Sequence, residues 1–205
     1  MIETQELQLP NYGVLSAKLP NVLLERLKQQ VDRAARVPGT SYTNLLVGAL
    51  KREDLLILEP ALESFVLEVA DQYFDKYMSI EQIVDASIMN VWVNYQQRYE
   101  YNPLHDHAGL LSFVIWVSVP YDIEEERNFF PNRKNDGVRS SAAFELMYNA
   151  IDGSQLVYDI PVSKEYEGTM IMFTANMKHQ VYPFLTVDGT RISVAGNIGP
   201  TTVDF

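Results

Sequence analysis

The second half of this chain is a series of short segments in which apolar and polar residues alternate and β-branched and aromatic side chains are frequent. Turn signals such as Asn-Pro, Asp-Gly and Glu-Gly separate the segments, a pattern typical of an all-β sandwich or barrel. Such strands need a second layer against which to bury their apolar faces. We predict strands over Ser87–Tyr95, Leu111–Val119, Gln155–Ile160, Thr169–Thr174, Gln180–Phe184 and Arg191–Ile198.

The first part of the chain predicts two amphipathic helices instead. Asn21 follows Pro20 and can cap a helix whose apolar residues recur at helical spacing, and Pro38-Gly39 would end that helix. A second helix is predicted to begin at Pro60, because proline is favoured in a first helical turn, and to end near Met78. Both apolar faces are interpreted as core packing.

These elements predict one domain over residues 1–205, of the α+β class and mainly β. A helical region over 1–84 would pack on one sheet of a β core that spans 85–205. The core carries a polar insert at about 121–150, for which we expect a short helix over Ser141–Asn149. Long inserts in compact domains often bind ligands, but a plain surface loop fits this insert equally well.

The charge of the chain excludes several classes of function. Its 205 residues carry a net charge of -11, which disfavours the extended basic surface that nucleic-acid binding needs. The basic residues of Arg127–Arg139 are interpreted as a solvated loop. With no apolar run near the ~20 residues of a membrane span and no signal-peptide pattern, we expect a cytoplasmic protein without membrane association. The absence of cysteine and of a Gly-x-Ser-x-Gly motif disfavours hydrolases with thiol or serine nucleophiles.

Without cysteine, a metal ion has to be held by histidine or oxygen ligands, and the chain has only three histidines. His105 and His107 lie two residues apart in an extended segment, so both side chains face one side and that of Asp106 faces the other. His179 precedes a predicted strand. Further on, Arg191 and Ser193 share a strand face, because apolar residues alternate with them.

The region from about Asn90 to Ile198 resembles the 2-oxoglutarate/Fe(II)-dependent oxygenases, most closely a branch found in bacteria and bacteriophages. The order and spacing of the motifs carry the resemblance more than any single motif does. The matching segments are Asn102–Gly109, Leu111–Val114, Glu167–Phe173, His179–Pro183, Arg191–Ser193 and Asn197–Ile198.

The resemblance implies a double-stranded β-helix, the jelly-roll fold that is also called cupin-like, with Fe(II) and 2-oxoglutarate as cofactors. Such enzymes hold iron through two histidines and a carboxylate. Here His105 and His179 match the two histidines, but His107 stands where the family has Asp or Glu. The preferred ligand set is His105, His107 and His179. In a second reading Asp106 replaces His107, and in a third His107 and His179 bind the metal with Gly109 at the carboxylate position.

The cosubstrate residues also follow from the resemblance. Arg191 can offer a bidentate guanidinium to the distal carboxylate of 2-oxoglutarate, and the Ser193 hydroxyl can assist it. A polar residue on the strand before the metal motif helps to hold the cosubstrate in related enzymes. Adjacent residues of a strand face opposite sides, so either Asn94 or Tyr95 can serve, and we choose Asn94.

The implied reaction is hydroxylation of an unidentified small molecule or protein side chain by dioxygen, with release of succinate and CO2. Two alternatives remain open. One is a three-histidine, cupin-like dioxygenase that does not use 2-oxoglutarate, against which Arg191 argues. The other is a non-catalytic jelly-roll binding module. The oligomeric state does not follow from the sequence.

Overall fold

The computed structural model of the protein describes residues 13–37, 41–43, 46–78, 85–129, 141–150 and 152–201. Three α-helices lie in these ranges: α1 (Asn21–Ala34), α2 (Pro60–Tyr77) and α3 (Ile123–Asn128). The first five strands are β1 (Leu15–Lys18), β2 (Glu53–Leu55), β3 (Ala86–Gln97), β4 (Asn102–His105) and β5 (Leu111–Ser118). The other five are β6 (Phe144–Asn149), β7 (Gln155–Ile160), β8 (Thr169–Thr174), β9 (His179–Val181) and β10 (Thr190–Pro200).

The strands form two antiparallel sheets, in the strand order of a jelly roll. The larger sheet has the order β1-β8-β5-β10-β3-β2, and the smaller has the order β4-β9-β6-β7. Side chains from the inner faces of both sheets make a shared core, in which Trp116 and Phe173 of the larger sheet meet Phe144 and Leu146 of the smaller. The predicted mainly β, jelly-roll class is confirmed.

The helices α1 and α2 cover the outer face of the larger sheet, as predicted. Leu27 and Val31 of α1 and Leu62 and Val66 of α2 are buried in a second core with the outward-facing residues of that sheet. The spacing of these residues repeats every three to four positions, which places them on one side of each helix. This layer leaves the inner face of the larger sheet free to form the site.

Helix α1 begins one residue earlier than a cap at Asn21 implies. Pro20 occupies the cap position and Asn21 is the first helical residue, with no side-chain hydrogen bond that caps the helix. The predicted stop at Pro38-Gly39 lies outside the described residues. Helix α2 begins at Pro60 and ends at Tyr77, as predicted.

The helix predicted over Ser141–Asn149 is wrong, because Phe144–Asn149 forms strand β6. Its polar residues Ser141, Glu145 and Asn149 recur every four positions, as on a helix, whereas every second residue from Ala142 to Tyr148 is apolar, as on a strand. Pairing with β7 and β9 on both sides decides for a strand. The strand predicted over Gln180–Phe184 is instead His179–Val181. Within the insert, residues 130–140 lie outside the described residues.

Buried Glu126 anchors the start of the insert to the loop after β9. Its carboxylate accepts hydrogen bonds from the backbone N–H groups of Leu185 (2.8 Å) and Thr186 (2.8 Å) and from the hydroxyl of Ser141 (2.7 Å). Hydrogen bonds to a charged group contribute more than neutral ones, and the two backbone donors are left unpaired if the carboxylate is removed.

The substitution Glu126→Ala is expected to lower the free energy of unfolding by about 3 kcal/mol, because it leaves buried donors without an acceptor. Chemical denaturation of the purified protein measures the change. Exposed Glu125, on the same helix, provides the matched control Glu125→Ala, for which we expect a change below about 0.5 kcal/mol. Equal effects of both substitutions would contradict the anchoring role of Glu126.

Candidate metal centre and cavity

The three histidines meet because strand β4 pairs with strand β9. His105, the last residue of β4, lies directly opposite His179, the first residue of β9, and their ring centroids are 4.2 Å apart. His107 follows with its backbone N–H bonded to the carbonyl of Ala175 (2.8 Å), and its ring lies 4.9 Å from that of His105 and 5.0 Å from that of His179. One ring nitrogen from each histidine lies within 4.8 Å of the others, a spacing that suits one metal ion.

Two of the imidazoles are held in one tautomer by backbone carbonyls. The Nδ1 of His105 lies 2.6 Å from the carbonyl oxygen of Pro103, and that of His179 lies 3.0 Å from the carbonyl oxygen of Met177. A carbonyl can only accept, so Nδ1 of each ring carries the proton and Nε2 keeps its lone pair. Bonds of this kind orient the histidine ligands of metal sites.

Burial keeps the three imidazoles neutral. It lowers the pKa of His105, lowers that of His107 to about 4 with help from neighbouring His105, and lowers that of His179 well below its usual range. His179 is the most enclosed of the three, since Phe144 stacks on its ring at 5.5 Å and Phe173 meets it edge-on at 5.0 Å. Neutral imidazole is the form that binds a metal ion.

The alternation of side chains places His107, and not Asp106, with the other histidines. Asp106 is exposed and takes no part in the cluster of metal-ligating groups found among the described residues. Gly109 is exposed too and has a φ of 112°, and a Cβ on it would lie 2.7 Å from the carbonyl oxygen of Ile198. The positive φ and the close approach of the Ile198 carbonyl therefore account for the glycine at position 109.

The histidines line a small cavity of about 40 Å³ between the two sheets. The residues predicted to bind the cosubstrate line the same cavity as the three histidines. Its polar lining consists of Asn94, Gln96, Asn102, His105, His107, Ser112, His179, Arg191 and Ser193.

Arg191 brings a buried positive charge to this cavity, with only 3% of its surface exposed. Its guanidinium donates to the side-chain oxygen of Gln96 (3.0 Å), the hydroxyl of Tyr121 (2.8 Å) and the carbonyls of Ala142 (2.7 Å) and Tyr182 (3.0 Å). All of these acceptors are neutral, and none of the ion pairs in the described part of the chain includes Arg191. A buried cation without a counter-charge is costly, so the cavity favours an anionic ligand.

Asn94, and not Tyr95, faces the cavity. The amide nitrogen of Asn94 donates to the Ser193 hydroxyl (3.3 Å) on the next strand, and its oxygen accepts from the indole of Trp92 (3.2 Å). Tyr95 points to the helical side of the sheet, where its hydroxyl donates to the carbonyl of Val31 (3.3 Å). The role of Asn94 in binding the cosubstrate stays a prediction.

Two residues of this arrangement, Gln96 and Tyr121, were not identified in the sequence analysis. Gln96 shares its strand face with Asn94, at a spacing of two, and this period could have revealed it. Tyr121 lies at the start of the insert, and no sequence signal places its hydroxyl on Arg191. Burial raises the pKa of Tyr121, so its hydroxyl keeps its proton.

A larger groove of about 770 Å³ lies beside the metal centre, between β1 and the hairpin of β6 and β7. Leu146, which pairs directly with His179, and Met177, whose carbonyl holds the His179 ring, both line this groove. Tyr148 and Tyr158 face it from the hairpin and are 42% and 58% exposed. Among its lining residues, Lys178 is the only charged one in the part of the chain described.

Comparison with known proteins agrees with this geometry. Residues 90–197, just over half of the chain, match the model of a family described as "Putative 2OG-Fe(II) oxygenase". No curated protein matches the sequence. None of the helices described is long and apolar enough to cross a membrane.

Several solved structures share the fold. A prolyl-4-hydroxylase of Pseudomonas putida is 12% identical with a TM-score of 0.59, over 93% of this chain and 94% of that one. The viral collagen prolyl hydroxylase of Paramecium bursaria Chlorella virus-1, solved with 2-oxoglutarate, is 11% identical with a TM-score of 0.52, over 91% and 94% of the two chains. HygX of Streptomyces hygroscopicus, solved with nickel, 2-oxoglutarate and hygromycin B, is 12% identical with a TM-score of 0.53, over 93% and 84%.

The choice between His107 and Asp106 can be tested by metal binding. We expect His107→Ala to weaken the binding of Co²⁺ at least tenfold, because it removes one of three inward-facing nitrogens, whereas Asp106→Asn should change the affinity less than about twofold. Calorimetric titration of the metal-free protein gives both values. The reverse order of effects would show that the carboxylate turns inward to bind the metal.

Proposed function

Because the chain belongs to the 2-oxoglutarate/Fe(II) oxygenase family, we propose that it uses dioxygen and 2-oxoglutarate to hydroxylate a substrate, with release of succinate and CO2. One observation carries the proposal: three neutral imidazoles converge on the same cavity as a buried arginine that forms no ion pair within the described residues. The imidazoles suit a metal ion and the arginine suits a carboxylate.

The metal would be held by Nε2 of His105 and of His179 and by a ring nitrogen of His107. Their donor set fits Fe(II), because imidazole is a common ligand of iron and all three rings are neutral. When bound, the iron supplies dioxygen activation and the oxidation of a C–H bond. The protein contributes fixed ligand geometry and, through the surrounding aromatic rings, exclusion of water.

Arg191 would bind the distal carboxylate of 2-oxoglutarate. The carboxylate would take over guanidinium N–H groups that now bond to neutral oxygens, such as the Tyr121 hydroxyl. Ser193 lies two residues after Arg191 on β10 and pairs with Asn94 of β3, and the polar groups of both residues would orient the cosubstrate toward the histidines. The 40 Å³ cavity is smaller than 2-oxoglutarate, so binding requires side chains around Arg191 to shift.

The groove beside the metal centre is the proposed approach for the substrate. It lies next to His179, and its tyrosines offer flat apolar surfaces with hydroxyls at their tips. A small molecule and a protein side chain both fit this description. Cytoplasmic location and the absence of nucleic-acid and membrane partners stay predictions from the sequence.

The alternative of a three-histidine dioxygenase without 2-oxoglutarate has one observation in its favour. Every N–H group of Arg191 already has an acceptor, including the side chain of Gln96 and two backbone carbonyls. In this alternative Arg191 is a structural residue that ties the ends of the insert to β10. Binding of 2-oxoglutarate separates the two functions.

We expect the protein loaded with Mn²⁺ under anaerobic conditions to bind 2-oxoglutarate, and Arg191→Met to weaken that binding by about tenfold or more, since a charge-assisted hydrogen bond is lost. Isothermal titration calorimetry measures both affinities. With Fe(II) and oxygen, the wild type should convert 2-oxoglutarate to succinate, and Arg191→Met should do so more slowly.

The substitution Arg26→Met, on the exposed face of α1, serves as the control and should leave 2-oxoglutarate binding unchanged. If wild-type protein with one bound metal ion gave no heat with 2-oxoglutarate and formed no succinate, the cosubstrate assignment would fail. A protein that binds no metal at all would point to the non-catalytic binding module.

A further inference from the structure

Glu53, on strand β2, is a buried carboxylate to which no described residue donates a hydrogen bond. Its side chain has no exposed surface, and both of its oxygens are buried and without a partner. The side-chain oxygen of Asn102, at the start of β4, is also buried and without a partner. Unpaired acceptors inside a protein are costly, so both side chains call for an explanation.

The side chains of Glu53 and Asn102 both approach Gly48. A Cβ on Gly48 would lie 2.7 Å from Oδ1 of Asn102 and 3.2 Å from Oε1 of Glu53, so both oxygens approach the same point. Two acceptors cannot bond to one another unless one of them carries a proton. A protonated carboxyl group is both a donor and an acceptor, and the amide oxygen of Asn102 is an acceptor that needs a donor.

We propose that Glu53 is a neutral carboxylic acid that donates a hydrogen bond to Oδ1 of Asn102 and thereby positions the strand that carries His105. The inference rests on the proposed function, because it assigns Glu53 a role toward the metal centre. Glu53 touches no reacting atom in this account and is a positioning residue.

The charges around Glu53 favour the neutral acid. Burial and the nearby carboxylate of Glu100 raise the pKa of Glu53 to about 7. Glu100 accepts from the backbone N–H groups of Lys51 (3.3 Å) and Gln97 (2.9 Å), so it is already bonded where it lies.

None of the ion pairs within the described part of the chain includes Glu53. Arg52, the residue before β2, pairs with Asp54 at 2.6 Å. On β3, Asn94 lies directly opposite Glu53 and is neutral, as is Gln96 on the same face. Thr43 contacts only the backbone of Glu53, and Asn102 on β4 is neutral.

The bond would join the two sheets beside the metal centre. Glu53 belongs to the larger sheet and Asn102 to the smaller, and β4 runs from Asn102 to His105. Strand β4 is short and its pairing with β9 is irregular between Asn102 and His105, so the ladder alone constrains it weakly. A hydrogen bond to Asn102, the first residue of β4, limits the positions that His105, the last residue of the strand, can take.

The pH dependence of stability tests the protonation. A carboxyl group whose pKa is higher in the folded than in the unfolded chain stabilises the fold fully at low pH, and this contribution is lost as pH rises from about 4.5 to about 7. We expect the Tm of the metal-free wild type, relative to that of Glu53→Gln, to fall by about 5 °C between pH 5 and pH 8. Glutamine donates without titrating, so the variant lacks this loss.

The exposed glutamate Glu63 on α2 supplies the control, since Glu63→Gln should show the same pH dependence as the wild type. If Glu53→Gln also parallels the wild type, Glu53 is ionised throughout and the proposal is wrong. The Asn102 amide would then be rotated to donate its nitrogen to the carboxylate.

Metal affinity tests the positioning role. We expect Glu53→Gln, which keeps a donor for Asn102, to bind Co²⁺ within about threefold of the wild type at pH 6.5, and Glu53→Leu, which lacks one, to bind about tenfold more weakly. Circular dichroism checks that both variants are folded. Equal affinities of Glu53→Leu and Glu53→Gln would overturn the positioning role. If the wild type itself binds no Co²⁺, the proposed metal centre fails, whereas the pH test of Glu53 still stands on its own.

Discussion

The site depends on the pairing of β4 with β9. Both strands are short, and they bring His105 and His179, from distant parts of the sequence, directly opposite each other. Once these two residues are paired, the chain after β4 carries His107 into the same space, where the bond to the Ala175 carbonyl holds its backbone. Two further carbonyls, those of Pro103 and Met177, turn the paired rings so that their free nitrogens converge.

The charges inside the sandwich give this arrangement its chemical character. Three neutral imidazoles add no negative charge to a metal ion, in contrast to the histidine and carboxylate set usual in the family. An anionic cosubstrate would partly offset that difference, and Arg191 offers it a buried cationic partner. Glu53 lies on β2, the edge strand of the larger sheet, and it adds no buried negative charge if it keeps its proton.

Much of this site could be predicted from alternation along strands. The period of two placed His105 and His107 together, assigned Asp106 to the outside and allowed Asn94 or Tyr95, but not both, to face the cavity. The same rule is not decisive for Ser141–Asn149, where polar residues also recur every four positions, as on a helix, and pairing with two neighbouring strands makes β6 a strand. Local pattern carries no information about the partner of a strand.

Other features were beyond the reach of sequence because they depend on contacts between distant segments. The hydroxyl of Tyr121 meets Arg191 only after the insert has folded back, and Gln96 joins them from β3. The unusual state of Glu53 follows from the donors that are missing around it, which no motif can show. By contrast, the order of the short motifs around the three histidines was sufficient to indicate the family, since the match covers residues 90–197.

A crystal structure of the protein with Mn²⁺ and 2-oxoglutarate, with the metal located by its anomalous scattering, would test the central claim most directly. We expect one strong peak within about 2.3 Å of a nitrogen of each of His105, His107 and His179, and a cosubstrate carboxylate on the guanidinium of Arg191. A metal ion bound through Asp106, or a 2-oxoglutarate molecule that avoids Arg191, would contradict it.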